Sequence, residues 1–262
     1  MPARLLPRIA LTATVIALVA APAHADNRPN PYVQSIPATT ITVSAAASLT
    51  DVFPVIAKAF TTRYPQITVT FNFASSNSLV EQIRAGAPVD VLATADEAVM
   101  WRAVDAGLTS TPLLFARNTM AIATPRGNPA GVTGLADLAD PGVLVAVCDR
   151  KVPCGALATE LFAKNGVSVT PVTRELDVRS VLGKVIADQV DAGIVYATDV
   201  KAFPDDVTGI AIPAAANVTT NYPIATVRDS SNARAAKAFV DYVRYSSSAQ
   251  RILRAWGFAK PW

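Results

Sequence analysis

The chain has 262 residues, of which 51% are hydrophobic and 16% charged, a globular composition that excludes a disordered or highly charged polymer. Lys and Arg total 23 against 20 Asp and Glu, and with Arg4 and Arg8 assigned to a leader, 21 basic residues face 20 acidic ones, a mature net charge of +1. Scattered basic residues at that balance leave no electrostatic footprint for nucleic acid, and with the single histidine, His24, also in the leader, histidine-based catalysis and histidine-liganded metal sites are excluded.

Residues 1–25 combine a positive start, an apolar stretch from Ile9 to Ala21 and the small-x-small end Ala23-His24-Ala25. This pattern predicts a secretory signal peptide cleaved after Ala25, with no cysteine beside the cut to carry a lipid. The apolar stretch is short against the roughly 20 residues of a membrane span, although a retained leader would use it as an anchor. From Asp26 to Thr40 the chain is polar, bears Pro29, Pro31 and Pro37, and reads as a flexible tail. A strand is expected over Ile41 to Ala46. Leu49, Val52, Phe53, Ile56 and Phe60 then recur at helical spacing. The unit repeats as strand Ile67 to Phe73 with helix Leu79 to Ala85, and strand Val89 to Ala93 with helix Glu97 to Ala106.

A second series opens with a strand-like stretch at Thr119 to Thr124. It continues with strand Val143 to Val147, helix Gly155 to Asn165, helix Arg179 to Gln189 and strand Ala192 to Tyr196. A strand at Pro223 to Val227 and helices Ala233 to Tyr245 and Ala249 to Trp256 close the chain, in position to return to the first series. Alternating strands and helices imply an α/β fold of two lobes, each a mainly parallel sheet flanked by helices. Ligands of such sheets sit at the carboxyl ends of strands, where helix N-termini converge. Export also places Cys148 and Cys154, with five residues between them, where a disulfide forms readily. Free thiols remain the alternative, while a metal pair lacks further ligands.

Four segments lie where a strand ends or a helix begins. They are Ala45–Thr50 around Ser48, Phe73–Leu79 around Ser75 and Ser76, Val152–Gly155, and Leu176–Ser180. Taken singly each is ordinary: Ser48 with Asp51 resembles a capping box, the serines suit a turn, and Asp177 suits a helix cap. Taken together they offer backbone N–H groups and hydroxyls at several helix starts without a required charged side chain, a donor set suited to a compact anion. No Gly-x-Ser-x-Gly elbow or lysine partner accompanies the serines, so an enzyme is not expected. The dispersed tyrosines do not suggest iron binding.

Ala45-Ala46-Ala47-Ser48-Leu49, Ala74-Ser75-Ser76, Ala85–Asp90 with Ala93–Asp96, Pro153-Cys154-Gly155, Asp177-Val178-Arg179 and Gly193-Ile194-Val195-Tyr196 carry a family resemblance. In order and over Ile41 to Phe258, the chain resembles the periplasmic molybdate-binding proteins of molybdate ABC transporters. The resemblance implies a type II periplasmic binding fold with the ligand between lobes, lobe 1 being residues 41–116 and 223–262 and lobe 2 residues 117–222. It implies molybdate, and tungstate with it, as transported ligand, sulfate or another small oxyanion being the alternative. No cofactor is expected, and the partners are a membrane permease and no nucleic acid, with the protein a monomer. Carried over position by position, the contacts fall on the hydroxyls and amides of Ser48 and Ser76, the N–H groups of Cys154 and Val178, and the hydroxyl of Tyr196. Any hold on the metal is through its oxygens. Cys154 departs from the small apolar residue expected there, which a main-chain contact tolerates. Asp177 would repel an anion if it pointed inward, so it is expected to cap its helix or pair with Arg179. Arg179 is expected to serve as an ion partner between lobes.

Overall fold

The computed structural model describes residues 36–261; the predicted leader, its cleavage position and the tail up to residue 35 lie outside the described residues. The first strand, Thr39–Ala46 (β1), begins within the stretch expected to be tail, because Thr39 and Thr40 already pair with Ile67 and Thr68. It runs parallel to Ile67–Ala74 (β2) on one side and to Val91–Ala93 (β3) on the other. Val52–Arg63 (α1) buries Val52, Phe53, Ile56, Ala57 and Phe60, the stripe that the spacing predicts. Phe53 and Phe60 meet Phe239 of Ala233–Tyr245 (α7) edge-on at 6.2 and 5.2 Å. Each such ring stabilises the fold by about 1.5–3 kcal/mol relative to exposure. The C-terminal helices α7 and Ser247–Ala255 (α8) pack against α1. Ser76–Arg84 (α2) and Glu97–Asp105 (α3) follow β2 and β3.

Leu113–Pro125 (β4) starts at Leu113 rather than Thr119 and joins the two halves of the sheet. A register irregularity between Leu114 and Ala116, followed by Arg117 and Asn118, interrupts the apolar pattern that would have marked its first half. That half pairs antiparallel with Thr219–Thr226 (β9), and from Met120 onward β4 pairs with Ala192–Tyr196 (β7) and Val207–Ala211 (β8). Val145–Cys148 (β5) lies parallel to Thr173–Glu175 (β6) and to β7. The sheet order is β2-β1-β3-β9-β4-β7-β5-β6, with β8 on β4. Parallel pairing therefore holds in the outer part of each lobe, while the strands around the crossover, β3-β9, β4-β9, β4-β7 and β4-β8, are antiparallel.

Pro153–Asn165 (α4) starts two residues before the predicted Gly155, with proline at its first position, where the missing N–H costs no hydrogen bond. Val178–Ile186 (α5) lies close on β7 because position 193 is glycine: a Cβ there would stand 2.8 Å from both Val181 Cγ1 and Val185 Cγ2. Ala197–Ala202 (α6), β6 and β8 are elements the sequence does not announce, being too short or too polar to show periodicity. Among the described residues no helix is long and apolar enough to cross a membrane.

Candidate oxyanion-binding site

Four chain reversals at the carboxyl ends of strands converge on one cavity of about 230 Å³, counting the space open at its mouth. β1 delivers Ser48, inside the short 3₁₀ turn Ala47–Leu49. β2 delivers Ser76, the first residue of α2, and β5 delivers Cys154 in the first turn of α4. β6 delivers Val178, the first residue of α5, while Tyr196 closes β7. Ser48, Ser76, Cys154, Val178 and Tyr196 all line this cavity and are all buried. First-turn N–H groups have no partner within their own helix, so three α-helix starts and a 3₁₀ turn aim donors and positive dipole ends into the same space.

The capping box expected of Ser48 and Asp51 is absent. Asp51 precedes α1 without a side-chain cap bond, and the Ser48 hydroxyl instead lies 2.8 Å from that of Tyr222. Ser75, not Ser76, caps α2 by accepting from Ser78 N at 3.2 Å. Ser76 Oγ accepts from the N–H of Ala95 at 3.1 Å, a bond buried beneath the cavity. Asp177 lines the cavity, but both its carboxylate oxygens are taken by Ser180, from N at 2.9 Å and from Oγ at 3.0 Å. It is a helix cap, and its charge is spent on its own helix.

Arg179, next to Val178, joins the lobes. Its guanidinium pairs with Asp51 ahead of α1 and, at 3.1 Å, with the fully buried Asp199 in α6. Burial pushes the Asp199 carboxyl up to about 7, although Arg179 pulls it down. Its other oxygen accepts from Tyr196 N at 3.0 Å, fixing the backbone from which the Tyr196 ring projects. Among the described residues the buried Tyr196 hydroxyl has no hydrogen bond of good geometry, and burial, then the neighbouring Tyr222, raises its pKa so that it keeps its proton. A buried, unpartnered phenol on the wall of a cavity is an expensive feature unless something occupies that cavity.

Cys148 and Cys154 form a disulfide that ties the end of β5 to the first turn of α4. The turn is tight enough that a Cβ at position 155 would lie 1.9 Å from Asp149 O, so only glycine fits. Within this loop Lys151 O accepts from Asn77 Nδ2 of α2 at 2.8 Å, a second contact between lobes at the cavity's edge. Tyr222, Asn118 and Asp199 sit in no local motif, and Asn77, although inside the Phe73–Leu79 segment, had no spacing to single it out there. Tyr222 meets Ser48 across 174 positions, a distance that no spacing rule spans.

The pattern of the bacterial extracellular solute-binding proteins matches residues 41–259. The molybdate-binding protein ModA of Mycobacterium tuberculosis (strain ATCC 25618 / H37Rv) is 41% identical over 225 residues, 86% of each chain. The periplasmic molybdate-binding protein of Azotobacter vinelandii superposes with a TM-score of 0.73 at 17% identity, covering 85% of this chain and 100% of that one. The sulfate-binding protein SubI of M. tuberculosis H37Rv gives 0.75 at 20%, covering 85% and 87%. The two structures share the fold of this chain. On this agreement of sequence and fold, the chain belongs to the family of bacterial extracellular solute-binding proteins.

Proposed function

We propose that this protein captures molybdate, and tungstate with it, outside the cytoplasmic membrane and hands it to the permease of an ABC transporter. The observation that carries this reading is a cavity lined by donors from four chain reversals and one buried phenol, with the one carboxylate on its wall already bonded to Ser180. Molybdate near neutral pH is a tetrahedral dianion without a proton, so it asks for donors and nothing else. Phosphate keeps a proton and needs an acceptor.

In this reading the ligand is held by the hydroxyls and amides of Ser48 and Ser76, the N–H groups of Cys154 and Val178 and the hydroxyl of Tyr196. The metal itself is untouched. Five to seven charge-assisted hydrogen bonds at about 1.5–3 kcal/mol each give roughly 10–20 kcal/mol before the costs of association, enough for tight binding. The ModA relative at 41% identity supports molybdate. Sulfate satisfies the same donors and differs only in size, which makes it the second reading. Removal of the leader after Ala25, a free rather than lipid-anchored state, a monomer, and transport without a resident cofactor or reaction complete the proposal.

Thermal melts of the protein with each oxyanion test it. A ligand at 100 times its Kd stabilises by about 2.7 kcal/mol through linkage. Molybdate and tungstate are expected to raise Tm by several degrees and phosphate to leave it unchanged. Phosphate stabilisation equal to that of molybdate would overturn the assignment.

A further inference from the structure

Beside the cavity, three carboxylates accompany one guanidinium. Asp199 of α6 is fully buried: its Oδ2 accepts from Tyr196 N at 3.0 Å, and its Oδ1 lies 3.1 Å from Arg179 Nε without the alignment of a hydrogen bond. Arg179 is shared with Asp51, and Asp177 also faces Asp199. Among the described residues, the wall of the cavity itself holds no lysine or arginine. Helix starts and hydroxyls supply partial positive charge there but no full cation. A dianion in the cavity therefore adds two negative charges to a neighbourhood already richer in carboxylates than in cations, where burial weakens screening. The charge of Asp199 reaches that space. Burial foremost, then Tyr222, Asp96 and Asp199, raise the Tyr196 phenol, and burial and Asp199 raise that of Tyr222. Tyr196 lines the cavity, and the Tyr222 hydroxyl lies 2.8 Å from Ser48 Oγ.

We infer that Asp199, a positioning residue behind Tyr196, also compensates the charge of the ligand: binding of a dianion draws one proton from solvent onto its carboxyl, so that capture is coupled to proton uptake. The proton goes to Oδ1, the oxygen that accepts no hydrogen bond among the described residues, while Oδ2 keeps Tyr196 N and with it the backbone of a proposed donor. Burial holds the carboxyl at about 7, so near neutral pH both of its forms are populated before the ligand arrives. The titratable and charged groups facing Asp199 are Arg179 of α5, Asp51 ahead of α1, Asp177 ahead of α5, Tyr196 of β7 and Tyr222 of β9. β8 has no titratable side chain, Arg117 of β4 donates instead to Lys260 O at 2.7 Å, and Lys201 of α6 is exposed. Asp96 faces Tyr196 and caps α3 through Val99 N. This rests on the oxyanion reading above and extends it to the pH dependence of capture.

Titration calorimetry with molybdate at pH 6 and at pH 8, each in two buffers of different ionisation enthalpy, counts the protons taken up. Molybdate itself carries no proton at either pH. With a free carboxyl at about 7, linkage gives close to one proton per molybdate at pH 8 and nearly none at pH 6, with Kd about tenfold higher at pH 8. Asp199→Asn keeps an acceptor for Tyr196 N and cannot ionise. This variant is expected to take up no proton, to bind equally at both pH values, and at pH 8 to bind about tenfold more tightly than wild type. Loss of a merely structural contact would move affinity the other way. His24 and the chain terminus titrate in both proteins and cancel in the comparison. Wild type that binds molybdate with no more proton uptake at pH 8 than at pH 6 overturns the inference, whether or not the variant folds. Uptake at pH 8 that persists in D199N overturns it too and assigns the proton to another group. Wild type that binds neither molybdate, tungstate nor sulfate at either pH overturns the oxyanion reading itself and the inference with it, an outcome distinct from binding without proton uptake.

Discussion

In the proposed site Ser48 offers its hydroxyl, whereas Val178 offers the first N–H of α5. The two positions therefore answer differently to the same substitution. Ser48→Ala deletes a charge-assisted donor and is expected to cost about 1.5–3 kcal/mol of binding, while Val178→Ala keeps its N–H and costs well under 1 kcal/mol. Calorimetric Kd values for the two variants check this, and equal losses would contradict a main-chain role for Val178. Asp199 makes a prediction in pH. Its carboxyl titrates at about 7 in the fold, raised by burial from the 3.8 of an unperturbed carboxyl, so the folded state holds an extra proton between those values. The stability this gives is complete below about pH 4, declines as pH rises and is gone above about pH 7. The charged groups facing Asp199 are Arg179, Asp51 and Asp177, and only Arg179 favours its ionised form. Asp199→Asn removes the titration, so urea unfolding from pH 4 to 8 should show wild type losing stability relative to the variant by up to a few kcal/mol. Parallel curves would place the titration elsewhere.

Between residues and lobes, the elements show what sequence can and cannot carry. α1 and α7 were legible because apolar residues recur along them at helical spacing, and β7 because it is a run of apolar residues, whereas Pro153, the true first residue of α4, read as part of the turn before it. α6 has six residues and two of its buried side chains, Thr198 and Asp199, are polar, so no hydrophobic period marked it. The five expected site positions share one cavity because each sits beside a strand end, a local feature. Their supports, Tyr222 and Asn118, come from β9 and β4, where a lone polar residue looks like any other. The disulfide ties one such local feature to its neighbour. Closing a loop of this length removes about 2 kcal/mol of freedom from the unfolded chain. The double variant Cys148→Ala, Cys154→Ala should unfold at lower urea by that amount and bind with up to tenfold lower affinity, because every proposed donor stays while the loop must be re-ordered. Abolished binding in a folded double variant would mean that a sulfur atom does more than hold the turn. Gly193→Ala forces α5 off β7 and is expected to cost about 1–3 kcal/mol of stability.

At the scale of the whole molecule, Asn77 with Lys151 and Arg179 with Asp51 join segments from opposite sides of the cavity, and the proposed ligand bridges the same gap. An anion held by Ser48 and Ser76 from one lobe and by Cys154, Val178 and Tyr196 from the other favours the closed arrangement by the contacts that only closure completes. Asn77→Ala removes one clasp without touching a proposed donor. Small-angle scattering should show a larger radius for this variant than for wild type without ligand, and the same radius once molybdate is present. A radius insensitive to both would remove the clamp and leave a rigid cleft.

The central claim is that this cleft holds one fully deprotonated oxyanion through donors alone. Titration calorimetry of dialysed protein with molybdate, tungstate, sulfate and phosphate in parallel tests it most directly. The account predicts one-to-one binding of molybdate and tungstate with Kd below about 1 μM, equivalent to roughly 8 kcal/mol, weaker or absent heat with sulfate, and none with phosphate. No heat with molybdate or tungstate, or binding of phosphate as tight as theirs, would contradict it.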